Sequence, residues 1–167
     1  QEIDADLELA DRTLTVRTFA GKIGGQPVSL QGTVTLPRRG RPQLALALTG
    51  KNLPLVRRAG LLVRSDLDLR AETSAAGATT IAGTVKGRDC LVLADMSALL
   101  PTGERGVSQL PPYFAVKEAP FSRWGLKVEV RGEHSLRART AVFRGTASAH
   151  FQLSGTLGEP RAVGELT

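Results

Sequence analysis

Apolar and polar side chains alternate one for one along much of this chain. Ile3, Ala5, Leu7 and Leu9 interleave with Asp4, Asp6 and Glu8, and Leu61, Val63, Leu67, Leu69 and Ala71 are set against Arg64, Asp66, Asp68 and Arg70. Leu126, Val128 and Val130 alternate with Lys127, Glu129 and Arg131, and Ala147, Ala149, Phe151 and Leu153 repeat the pattern near the C-terminus. Successive side chains of a strand point to opposite faces, so a period of two predicts half-exposed strands with one aliphatic and one charged face. Shorter runs fit the same template: Leu14 and Val16, Val28 and Leu30, Val34 and Leu36, Ile81 and Val85, Leu91 and Leu93. Leu44, Leu46 and Leu48 form a further strand, with Ala45 and Ala47 making its second face nearly apolar. The chain is predicted to be all-β.

Glycine and proline, 18 and 9 residues, punctuate these runs. Gly21, Gly24 and Gly25 predict a turn, Pro37-Arg38-Arg39-Gly40-Arg41-Pro42 a solvated loop, and Asn52-Leu53-Pro54 a strand break. The pairs Gly32-Thr33, Gly83-Thr84, Gly145-Thr146 and Gly155-Thr156 are expected to open strands, and their unequal spacing excludes a fixed solenoid period. Between residues 95 and 123 alternation is lost. A helical turn at 95–100, capped by Asp95 and stopped by Pro101, is expected there, followed by an irregular segment. Tyr113, Phe114, Phe121 and Trp124 are four of the chain's seven aromatics, so the stretch from Pro111 to Trp124 is expected to be held against the sheet.

Composition narrows the function. Twenty-two Lys and Arg against 16 Asp and Glu leave 22 − 16 = +6, which favours acidic partners such as nucleic acid or anionic headgroups. Scattered arginines and few stacking aromatics argue against nucleic acid. Cys90 alone forms no internal disulfide and reads as a small buried hydrophobe. No apolar run of about 18 residues and no leader pattern at Gln1 occur, so any anchor or export signal is expected outside this segment. Both termini read as cuts through a continuing sheet.

No catalytic constellation emerges. His134 reads as a turn residue and His150 as a member of a polar strand face, and neither belongs to a G-x-S-x-G elbow or a CxxC motif. Asp4/Asp6 and Asp66/Asp68 look like paired carboxylates, but alternation puts them on the solvated face with no ligand partner nearby. The chain is expected to be no enzyme, to hold no metal and to need no cofactor. A membrane barrel is disfavoured because aromatic girdles are missing.

Several phrases in order resemble the C-terminal region of the TamB family, the inner-membrane component of the translocation and assembly module. They are Lys117-Glu118-Ala119-Pro120-Phe121-Ser122-Arg123-Trp124-Gly125-Leu126, Val128-Glu129-Val130-Arg131-Gly132, and the stretches from Arg144 to Ala149 and from Leu153 to Gly164. Gly24-Gly25-Gln26-Pro27-Val28 and Thr49-Gly50-Lys51-Asn52-Leu53 add to the resemblance, which covers most of the chain. Departures at 75–87 and 103–109 leave strand pairing open there. The resemblance implies an elongated, folded-over sheet, a β-taco with an apolar inner groove, so that residues 1–167 form a single segment of a longer domain. Its roughly ten to thirteen strands would extend about 45 to 60 Å.

The resemblance further implies a periplasmic protein anchored in the inner membrane, with membrane contact made outside this segment. Its partners would be phospholipid acyl chains moving between the membranes and an outer-membrane barrel-assembly protein of the TamA/BamA type. Leu7, Leu9, Leu14, Val16, Val34, Leu36, Leu44, Leu46, Leu48, Leu67, Leu69, Val128, Val130, Phe151 and Leu153 are the candidates for lining a lipid groove. Arg38, Arg39, Arg41, Arg57 and Arg58 are candidates for attracting headgroups at its rim. The alternative reading is an interaction module for autotransporter assembly, in which an open sheet edge pairs with a partner strand.

Overall fold

A computed structural model describes residues 3–58, 61–92, 116–139 and 144–167. Among the described residues nine strands form one sheet in chain order: β1 Asp4–Ala10, β2 Thr13–Ile23, β3 Gln26–Thr35, β4 Gln43–Arg58, β5 Leu61–Thr73, β6 Thr79–Val92, β7 Gly125–Arg139, β8 Arg144–Gly155 and β9 Pro160–Leu166. Neighbours are antiparallel except β6 and β7, which run parallel. The two end strands, β1 and β9, do not pair with each other, so the sheet is unclosed. The helical turn expected at 95–100, and Tyr113 and Phe114, lie outside the described residues.

Register converts the alternation of each strand into ladders across the sheet. One crosses Val28, Gly50, Leu67, Val85, Val130, Phe151 and Gly164, and the next crosses Leu30, Leu48, Leu69, Gly83, Val128, Leu153 and Ala162. On the reverse face run Ser29, Thr49, Asp68, Thr84, Glu129 and Gln152. The middles of the two faces differ in exposure: the leucines and valines are mostly half-buried, whereas Thr49, Asp68, Arg70, Lys86 and Lys127 are exposed. That asymmetry fits a sheet curled toward its aliphatic side.

Several expected interruptions lie inside strands. Asn52-Leu53-Pro54 does not break β4; Asn52 takes a left-handed φ of 53° and the register shifts between Gly50 and Leu53, which is a bulge. His134 is likewise no turn between strands but a left-handed residue within β7, φ 47°, where the register shifts between Gly132 and Leu136. Gly32-Thr33 and Gly83-Thr84 do not open strands either; both sit within them, and Gly155-Thr156 ends β8. Gly32 and Gly83 have φ of 134° and 139°, and a Cβ there would stand 2.0 Å from the Ala45 carbonyl oxygen and 2.1 Å from that of Asp68. Glycine lets those strands take a bend that a side chain forbids. Gly21 also lies within a strand, the β2–β3 turn being Gly24-Gly25.

Of the stretch from Pro111 to Trp124, residues 116–124 are described, and they are tied to the β8–β9 turn. Val116 N–H donates to the Leu157 carbonyl at 2.8 Å, Leu157 N–H to Trp124 at 2.9 Å, and Gly158 N–H to Ser122 at 2.9 Å. The rings of Phe121 and Trp124 meet edge to face with centroids 5.1 Å apart. Phe121 is itself exposed, so this segment dresses the rim of the sheet.

Candidate functional site: an aliphatic sheet face

The register brings the predicted groove candidates onto one face and sorts them by position. Leu44, Val34, Leu14 and Leu9 share a ladder, and Leu46 lies between Gly32 and Ala71 in the ladder that also holds Val16 and Leu7. Leu48, Leu69, Val128 and Leu153 form the third, and Leu67, Val130 and Phe151 the fourth. Most are half-buried. Leu7, Leu9 and Leu36 are exposed at the β1 end of the sheet or beyond the end of β3, whereas Val16 and Val128 are buried. Pairing adds Val28, Leu30, Ile81, Val85 and Leu126 to the same face.

Leu53 is the residue that the sequence concealed. It is fully buried, and its Cδ1 fills the space where a Cβ on Gly50 would stand, 2.5 Å away. Beside it in register lie buried Ser65 and then Gly87. The Ser135 Oγ sits where Cβ atoms on Gly87 and Gly132 would be crowded, at 3.0 and 2.2 Å. A band of small residues and bulges therefore crosses β4 to β7 and divides the face. Beyond it, Val56, Val63, Cys90, Leu136 and Ala147 continue the aliphatic side. Burial pushes the Cys90 thiol up, in keeping with a packed hydrophobe.

Asp66 fastens this band from the polar side. Its Oδ1 accepts the Asn52 N–H at 2.9 Å, and its Oδ2 accepts the Arg88 Nε–H at 2.7 Å. Asn52 and Arg88 flank Asp66 on the two neighbouring strands, both beside register shifts. The Arg88 guanidinium foremost, with the Asn52 N–H, holds the Asp66 carboxyl below the usual carboxylate range. A depressed pKa gives stability that is present above the unfolded carboxylate range and lost as pH falls through the folded value. Asp66→Ala is expected to lower stability at pH 7 by about 1–2 kcal/mol, the worth of the two bonds. In urea titrations the gap from the parent should narrow as the solution is acidified below the carboxylate range; equal midpoints at pH 7 would remove the clamp.

The rest of the polar face carries dispersed charge. Glu129 accepts from Arg131 at 2.6 Å and lies 2.9 Å from His150 Nε2, and Arg131 first, then His150, keep its carboxyl low. His150 thus sits on the polar face, as alternation predicts. Asp4 and Asp6 are exposed on β1, and Glu8 meets Arg17. Among the described residues no group of three His, Cys, Asp or Glu side chains is placed to hold a metal. Shallow depressions near Gly32 and Gly83 are lined largely by polar-face residues such as Thr15, Arg17, Arg70 and Glu72. No helix among the described residues is long and apolar enough to cross a membrane.

Arg38, Arg39 and Arg41 lie in the β3–β4 connection at one rim, and Arg57 lies near the C-terminal end of β4 at the other. No curated protein and no solved structure matches the chain. A family model does: residues 17–167 match the TamB C-terminal domain. That span takes in β3 to β9 whole, with the two ladders that cross from β3 to β9, and the chain accordingly belongs to the TamB family, the inner-membrane partner of the translocation and assembly module.

Proposed function

We propose that the aliphatic face carries phospholipid acyl chains through the periplasm, as a section of a conduit between inner and outer membrane. The observation that supports this reading is the continuity of the ladders: aliphatic side chains and glycines follow one another from β3 to β9 without a charged residue. Seven strands at about 4.8 Å spacing give a track of about 29 Å. Each acyl CH2 sheltered there gains about 0.8 kcal/mol. No polar side chain in the two central ladders would fix the lipid at one place, so it can slide.

Native mass spectrometry of the gently purified chain tests this directly. Phospholipid adducts that a detergent wash removes are expected; a chain that stays lipid-free after incubation with phospholipid vesicles would overturn the reading. A second reading has its own observation in the open edges of β1 and β9. Among the described residues no strand pairs along the outer side of either, which is the arrangement that strand addition by a barrel-assembly partner would use. The two readings concern different parts of the sheet and are compatible.

A further inference from the structure

The outward face changes character at one rim. Over most of its area it is polar, but near the C-terminal ends of β4, β6 and β7 a ladder runs Arg57, Leu62, Leu91, Arg137 and Thr146. Leu62 and Leu91 are half-buried leucines on the charged side of the sheet, flanked by exposed arginines. At the last register position of β7 and β8, Arg139 stands directly opposite Arg144, both exposed. Like charges placed opposite each other destabilise a sheet. Among the described residues neither has a carboxylate partner; the nearby Asp89 is 3.8 Å from Arg137.

From this juxtaposition we propose that the rim is a docking surface for an anionic phospholipid bilayer, with Arg139 and Arg144 taking headgroup phosphates and Leu62 and Leu91 settling at the interface. Guanidinium groups pair with phosphate oxygens through parallel N–H bonds, and a shared anion removes the repulsion between them. From β4 to β8 the row spans about 19 Å, enough for several headgroups. Aliphatic side chains between the arginines favour a bilayer over nucleic acid, which would call for stacking aromatics. This inference goes beyond the proposed function and stands whether or not the aliphatic face carries lipid.

Cosedimentation of the whole chain with vesicles of phosphatidylcholine alone, and of phosphatidylcholine with equimolar phosphatidylglycerol, tests it. Binding is expected with the anionic vesicles and should fall as salt rises. The double variant Arg139→Ser/Arg144→Ser should bind at least about tenfold more weakly, since each basic residue near such a surface contributes measurably. Its near-native circular dichroism should accompany that loss, and Arg139→Lys/Arg144→Lys should retain most binding. Arg70→Ser/Lys127→Ser, exposed on the polar face away from this rim, serves as the control with little change. Equal binding to both vesicles, or an equal loss from the control pair, would overturn the proposal. So would duplex DNA competing as well as vesicles while Leu62→Ser/Leu91→Ser leaves vesicle binding unchanged, which would mark a general polyanion site. Lipid adducts in native mass spectra should be the same for the arginine variants and the parent, so failure here is separable from failure of the conduit.

Discussion

Replacing Leu53 with alanine is expected to cost about 3 kcal/mol of stability, within the range for deleting a fully buried leucine side chain. In a sheet where most aliphatic side chains are half-buried, Leu53 alone among the large side chains described is wholly enclosed. It closes over Gly50 at the bulge of β4 and adjoins Ser65 in the central band. The adjoining Gly50 and Ser65 have no longer side chain to swing into the space left behind. Against an ordinary domain stability of about 5–15 kcal/mol, a loss of this size shifts a urea midpoint clearly. Leu55→Ala, two residues on and 43% exposed, is the matched control and should change stability by less than about 0.5 kcal/mol. Similar midpoints for the two variants would show that the band does not anchor the sheet.

The contrast between Leu53 and its neighbours marks what can be read from a sequence of this kind. Alternation at Leu44-Leu46-Leu48 or Leu126-Val128-Val130 is a local property, set by the geometry of a single strand, and it assigns faces without reference to the partner strands. A bulge inserts a residue and inverts the alternation beyond it, so Asn52-Leu53-Pro54 looks like a break even though β4 continues. Proline is tolerated there because a bulge relaxes the ladder. Gly50 and Gly132 each leave room for a side chain three residues further on, Leu53 and Ser135, but only the bulge between turns that side chain back over the glycine, and Gly87 meets Ser135 from a chain-distant strand, which nothing local encodes. The parallel pairing of β6 with β7 is concealed for the same reason, since a chain-distant partner is chosen by the whole sheet. Asp66 is a further case: alternation puts it correctly on the polar face, but its bonds to Asn52 and Arg88 depend on bulged neighbours in two other strands.

Introducing a carboxylate at the centre of the aliphatic face is expected to separate transport from folding. Leu46 and Phe151 are half-buried on that face, each beside a glycine in register: Leu46 next to Gly32, and Phe151 next to Gly164. In a closed core an aspartate at either position would be an unpaired buried charge, and the domain would lose several kcal/mol and unfold. On a half-exposed face the carboxylate keeps water, and the small neighbours leave it room. Leu46→Asp and Phe151→Asp are therefore expected to show near-native circular dichroism and cooperative melting. Lipid adducts in their native mass spectra should be sharply reduced, because an acyl chain passing the site would have to strip water from a charge without offering it a hydrogen bond. Leu53→Asp, made in parallel at the enclosed position, should fail to fold and so calibrates the readout. If Leu46→Asp and Phe151→Asp unfold as Leu53→Asp does, both positions belong to a sealed core and the conduit is excluded at its centre. If they fold and carry lipid undiminished, the lipid travels elsewhere on the molecule.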